Sequence, residues 1–478
     1  MEIMRMICAL SDMSTLASFS RVSKALHTIA AEYIWTSFDW DGSERVLRFL
    51  EKIVHKPELS HLVTHVNIHL KGEPEVDKVV NKNERTIRNK VPRLKVPESE
   101  IPWLISSTPA LSRSPLWSKE IKEGWPGAFV ALVVALLPNL ESIRVHTRAI
   151  EEIDCLCYFI YWASRPHRMR EIVAPPGGTP NWAIGKYPLP ALPRLREVHI
   201  GSTDPALKKP RWEQVSHVQQ LLSLFHLPSL EHLTAPMDIH DPVDGWGYSD
   251  PPKAENIKSL SLTMIREKYL GKLLTATPFL EKLEWDWCAR PYEKPGSFIR
   301  LADERINLQR LSENLGKLSG TLKHLKITGS IERLKTAEGR YEGRLFIKLV
   351  DNGTLGILKP LNKLQSLHVP LVFLLGIYRP HENDPLALAR SLPTGVEHLT
   401  LTDETIHPLD ARWNRRGFFK LVQRYISNWK DFTPRLRSLK LEVTSEGAAE
   451  IPKALIKLTT GAPFDFKVEF KSRVYNSA

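Results

Sequence analysis

The chain is 478 residues long, beyond the roughly 250–300 at which a single globular core stops growing, so it holds several domains or one extended core of stacked units. A hydrophobic share of 42% with 25% charged residues is that of an ordinary soluble globular protein, and the formal charge, 66 − 54 = +12, permits an acidic or nucleic-acid partner without requiring one. Four cysteines, Cys8, Cys155, Cys157 and Cys288, exclude a disulfide framework, and no CxxC pair offers a zinc or redox site.

In chain order, the first predicted unit is residues 1–40, whose helical pattern fills residues 2–35, EIMRMICALSDMSTLASFSRVSKALHTIAAEYIW. Ile3, Met6, Ile7 and Leu10 fall at helical spacing and put one apolar stripe on a first helix. The stretch LSDMST breaks it, and the hydroxyl of Ser14 is placed to cap the next helix. Leu16, Phe19, Val22, Leu26, Ile29, Ala30 and Tyr33 continue at steps of three and four, with RVSK as the joint between two helices. Three short helices in about 35 residues are too small to be stable alone. The rest of the chain must cover them on one side and a partner on the other.

Residues 41–70 hold a first, weak helix–strand repeat with LSHLVTHVNI at 59–68. Residues 71–126, with alternating charge and repeated prolines, are predicted to be a long excursion, partly disordered. The run AFVALVVALL at 128–137 is half the ~20 residues a membrane span needs and stops at PNLES. It predicts a buried helix. The apolar run IDCLCYFIYW makes Cys155 and Cys157 core thiols, which with the absence of a signal pattern points to a reduced, intracellular, soluble protein, cytoplasmic or nuclear.

From 127 to 478 one phrase recurs: a Pro or Gly punctuator, then apolar–x–x–apolar–x–apolar. Copies are LPNLESIRV (137–145), LPRLREVHI (192–200), LPSLEHLTA (227–235), AENIKSLSL (254–262), TPFLEKLEW (277–285), SGTLKHLKI (319–327), LNKLQSLHV (361–369), PTGVEHLTL (393–401) and TPRLRSLKL (433–441). Period-two alternation after the first apolar residue reads as a short, half-buried strand. Helical patterns precede several copies, as in EQVSHVQQLLSLFH, INLQRLSENLGKL, PLALARSL and RRGFFKLVQRYISNW. The predicted fold class is α/β: a three-helix unit followed by an irregular leucine-rich-repeat solenoid, with parallel strands on the concave face and helices outside. Copies lie 23 (254 to 277) to 55 (137 to 192) residues apart, so several turns carry insertions and the repeats are degenerate. An ordinary α/β domain with βαβ crossovers is the alternative. The segment PMDIHDPVDGWGYSDPPK at 236–253 is predicted to be a loop.

The opening unit resembles an F-box. Matching positions are Glu2, Ile3, Ile7, Leu10, Leu16, Ser20, Val22, Lys24, Leu26, Ala30 and Trp35, with SRVSKALHTIA the most specific part; the Leu-Pro that opens the family's motif would stand before Glu2. An F-box followed by irregular leucine-rich repeats is a familiar fungal architecture. The resemblance implies a non-catalytic substrate receptor of an SCF-type (cullin-RING) ubiquitin ligase. The F-box would dock on the Skp adaptor, which bridges to the cullin scaffold, and the solenoid would hold a target protein. It implies adaptor contacts at Leu16, Phe19, Val22, Leu26 and Trp35, supported by Ile3 and Ile7.

Rival readings are an interaction scaffold whose helices only cap the solenoid, and a nucleic-acid binder. Burial of both Phe19 and Trp35 would favour the cap, and their joint exposure the adaptor. The basic run at 78–95 lacks the interleaved aromatics of a base-stacking surface. No GxSxG, P-loop or GxGxxG is present, HDPVDGWGYSD lacks calcium-loop spacing, and the recurrent histidines of EHL and KHL sit in different repeats without Cys or carboxylate at ligand spacing. No enzyme, cofactor, metal or membrane association is expected. Basic residues between the strand apolars, such as Arg144, Lys326 and Lys440, make an acidic or phosphorylated target conceivable.

Overall fold

The structure is a computed structural model that describes residues 2–40, 43–70, 93–108, 115–147, 154–163, 192–201, 221–237, 252–263, 265–289, 306–331, 353–376, 384, 386–403, 415–444 and 464–471. The predicted basic run up to residue 92, the start of the helix before Leu227 and the loop at 238–251 lie outside the described residues. The chain forms two compact units, Met1–Ala235 with Trp246–Pro252, and Pro236–Gly245 with Lys253–Ala478.

The first unit opens with helices α1 (Glu2–Leu10), α2 (Met13–Phe19) and α3 (Lys24–Ile34). Strands β1 (Ser37–Trp40), β2 (His65–His69), β3 (Ser142–His146), β4 (Glu197–Gly201) and β5 (His232–Pro236) follow, each parallel to the one before it. The second unit contains β6 (Ser259–Thr263), β7 (Lys282–Ala289), β8 (His324–Ile331), β9 (Ser366–Pro370), β10 (His398–Thr402), β11 (Ser438–Thr444) and β12 (Asp465–Lys471), again parallel and in chain order. Parallel strands in chain order, with helical segments described between most of them, are the arrangement of a solenoid. The expected α/β class is therefore present in both units.

The recurring phrase has a local mechanism. In eight of the nine copies the first apolar N–H of the strand entry reaches back three residues, as Leu140 to the Leu137 carbonyl, Leu195 to Leu192, Leu280 to Thr277 and Leu436 to Thr433, while Leu322 reaches back four, to Leu318. In five copies Pro138, Pro193, Pro228, Pro278 and Pro434 stand second in the turn, where the ring fixes φ near the value the turn needs. The next two residues donate both their N–H groups to one carbonyl of the preceding repeat. Lys323 and His324 donate to Glu281 at 2.8 and 3.0 Å, Gln365 and Ser366 to Lys323 at 2.8 and 3.0 Å, and Glu397 and His398 to Gln365 at 2.8 and 2.9 Å. A carbonyl has two lone pairs, so one acceptor satisfies both donors and locks the register of each repeat onto its neighbour.

Apolar residues of the phrase then fill the core. Leu280, Leu283 and Trp285 are buried, as are their register partners Leu325 and Ile327. Helix Pro126–Leu136 is buried nearly all round, which explains its continuous apolar run. Helix Arg415–Phe432 buries Phe418, Phe419, Val422 and Tyr425, and the Tyr425 hydroxyl bonds Thr433 Oγ1 at 2.6 Å. Within residues 71–126 the described part includes helices Ile101–Ser106 and Pro115–Lys122, with Leu104, Trp117 and Ile121 buried. Cys8, Cys155 and Cys157 are buried and none is in a disulfide. No helix among the described residues is long and apolar enough to cross a membrane.

One local expectation is corrected. The cap of α2 is Asp12, whose carboxylate accepts the Thr15 N–H at 2.7 Å, not Ser14, which lies inside the first turn. That hydrogen bond also holds the Asp12 carboxyl below its usual range. Ser23 caps α3 by accepting the Leu26 N–H at 3.2 Å, within the predicted joint.

Candidate functional site

The three opening helices enclose a small core of their own: Cys8, Leu16, Ile29 and Ala30, with Met4, Phe19, Tyr33 and Ile34 packed against it. Met4 and Cys8 are four residues apart, so α1 turns a narrow stripe inward. Its broader stripe, Ile3, Met6, Ile7 and Leu10, faces the other way. Ile3 is 72% exposed, Met6 64% and Leu10 89%. The spacing i, i+3, i+4, i+7 makes these four one continuous helix face.

Met13 and Val22 are also exposed. Among the described residues, six of the eight exposed large apolar side chains thus fall within the first 22 positions. Scattered exposed apolars are normal, but four of these six share one face of a single short helix, α1. An exposed ion pair, Arg5 to Glu32 at 3.1 Å, ties α1 to α3 and fixes how that face is held.

The seven residues picked out by resemblance divide three ways. Ile3, Ile7 and Val22 are exposed. Leu16 is buried in the core of the unit, packed with Cys8, Ile29 and Ala30. Phe19, Leu26 and Trp35 are half-buried. Trp35 stacks on Phe49 at 6.1 Å, beneath Lys52 at 5.8 Å, and so belongs to the packing of helix α4 (Ser43–His55). Phe19 and Trp35 are neither fully buried nor exposed, and do not separate the cap from the adaptor reading. Met6, Leu10 and Met13 belong to the exposed set, and the helical stripe that carries Met6 and Leu10 is legible in the sequence.

The outward face of the strands is the second place where chemistry could reside. In the first unit β2–β4 bring His69, His146 and His199 together, with ring centroids 4.5 Å apart for the first pair and 5.5 Å for the second. Burial, then His69, His199 and Arg144, push the His146 imidazole down to about 4, so it is neutral at physiological pH. Burial and Arg144 lower His199 as well. Arg144 is held by Glu197 through two hydrogen bonds, at 2.8 and 3.1 Å.

In the second unit the lysines of this face are matched by carboxylates of the same face. Lys282 pairs with Glu284 at 2.8 Å and Lys326 with Glu284 at 3.6 Å, while Lys440 bridges Glu442 at 2.8 Å and Glu469 at 2.7 Å. This self-pairing removes the excess positive charge that a phosphorylated target would need. Among the described residues no group of three or more His, Cys, Asp or Glu side chains is placed to hold a metal ion. No protein-family model matches the chain, and no curated protein matches it either.

Proposed function

We propose that the chain is a non-catalytic substrate receptor of an SCF-type ubiquitin ligase, acting in the cytoplasm or nucleus. The opening helices dock on the Skp adaptor, and the strand-and-helix repeats hold a target protein close to the cullin-bound conjugating machinery. Its contribution is proximity: a tethered target sees the transfer site at a far higher effective concentration than a free one. The observation that carries the reading is the outward stripe Ile3, Met6, Ile7 and Leu10 on a helical unit whose inward residues already complete its own core. A unit that served only as a cap would turn a polar face outward. The F-box resemblance of residues 2–35 names the occupant.

The test is binding of purified Skp adaptor to the full chain by calorimetry. The double variant Ile3→Glu/Ile7→Glu is expected to weaken binding at least thirtyfold, about 2 kcal/mol, because apolar anchors at an interface centre carry most of its energy. Both side chains are exposed, so the variant's own unfolding midpoint should stay where it was. No adaptor binding by the unsubstituted chain would leave the scaffold reading, in which the helical unit only caps the repeats.

A further inference from the structure

We propose that β12 is a self-association edge, on which a second copy of this chain adds its own β12 antiparallel about a two-fold axis at Val468. β12 pairs with β11 along Asp465–Lys471, and among the described residues no strand lies on its other side. Such an edge presents a row of backbone donors and acceptors ready to pair with another strand. Its apolar side is also incompletely covered. Leu439, Leu441 and Val443 of β11 are buried, whereas their register partners Phe466 and Val468 are half-buried and Phe470 is 46% exposed.

Backbone direction restricts how a partner strand can lie. The Asp465 N–H is donated to the Arg437 carbonyl at 2.9 Å, so residues 465, 467 and 469 turn their backbone groups toward β11. Phe466, Val468 and Phe470 turn theirs to the free edge. Two antiparallel copies must pair edge-facing residues with edge-facing residues, which allows registers whose two-fold lies on a residue and excludes those centred between two residues.

Charge then selects among those registers. With Val468 opposite itself, Lys467 falls opposite Glu469 of the second copy and Glu469 opposite its Lys467, while Phe466 and Phe470 face each other on the apolar side. Sliding by one allowed step sets Lys467 against Lys467, or Glu469 against Glu469. Like charges directly opposite are destabilising and opposite charges favourable, so the sequence DFKVEFK matches its own reverse in one register. Lys467 and Glu469 already pair at 2.7 Å within the strand, so no net charge blocks approach. In the first unit, β1 is four residues long, SFDW, and has no such pattern.

The experiment is sedimentation velocity of the full chain over a concentration series. The unsubstituted chain is expected to shift from monomer to dimer as concentration rises. Lys467→Glu alone and Glu469→Lys alone should each weaken self-association about tenfold or more, because each sets like charges opposite one another twice. Mixing the two variants should restore a dimer, since every charged pair is then opposite in sign. A chain that stays monomeric at its highest soluble concentration overturns the proposal. So does a dimer indifferent to both substitutions, a mixture that fails to recover, or a dimer abolished instead by Ile3→Glu/Ile7→Glu, which would place the contact on α1.

Discussion

Burial keeps the proton off His146, and repulsion from His69, His199 and Arg144 adds to it. In the unfolded chain the same ring titrates near 6.5. The unfolded state therefore takes up a proton at a higher pH than the folded one. This group's contribution to stability is complete above about 6.5 and drains away as pH falls toward the folded value of about 4. The groups that set it are His69, His199 and Arg144, the last neutralised by Glu197. His146→Gln removes the titration while keeping a polar side chain at the position. Urea unfolding at pH 7.5 and pH 4.5 should show a smaller loss of stability on acidification in the variant, by about 1 kcal/mol once solvent screening is allowed for. An equal loss in both proteins would mean that the imidazole contacts carry no pH dependence.

Some joints between elements in this fold are decided by backbone conformation, others by a side-chain cap such as Asp12 or Ser23. Gly124 joins helix Pro115–Lys122 to helix Pro126–Leu136 with φ of +75°, and its carbonyl accepts the Leu94 N–H at 2.8 Å. A Cβ there would lie 2.2 Å from the Leu94 carbonyl oxygen. Gly316 closes helix Leu308–Gly316 with open space where its Cβ would go. One substitution should thus have opposite signs at the two sites. Gly124→Ala is expected to cost about 3 kcal/mol through left-handed strain and overpacking, and Gly316→Ala to be neutral or to stabilise by up to about 1 kcal/mol. Thermal unfolding of both variants checks this, and destabilisation by Gly316→Ala would refute the local account. Similar local rules explain what was legible in advance. The proline second in the turn, the buried leucine after it and the alternation that follows all act within nine residues, so each strand of the recurring phrase could be read directly. The α2 cap could not, because Asp12 and Ser14 are both good capping residues and only the path of the chain decides which one stands at the helix start.

At the scale of the whole molecule, order along the chain is order in space within each unit, and each strand touches mainly the two beside it. The same fact limits what sequence can say about the site. The stripe Ile3, Met6, Ile7 and Leu10 is a property of one helix and is visible in its spacing, but whether Leu16 and Trp35 face a partner or a neighbour depends on packing between segments, on Cys8 and Phe49. Spacing within a helix cannot report that. Stability in such an array is a sum of repeat and neighbour terms, so damage should stay local. Leu399 of β10 is buried, opposite Leu367 of β9 and Leu439 of β11. Leu399→Ala should cost about 2–5 kcal/mol at that point in the second unit. In native-state hydrogen exchange, amides of β9–β11 are expected to lose most protection, and those of β6 and β7 distinctly less, because their neighbours are intact. Equal loss from β6 through β12 would instead mean that the seven strands open as one cooperative body, with the shared-carbonyl locks between repeats, such as Gln365 to Glu397 and His398, transmitting the damage along the whole ladder.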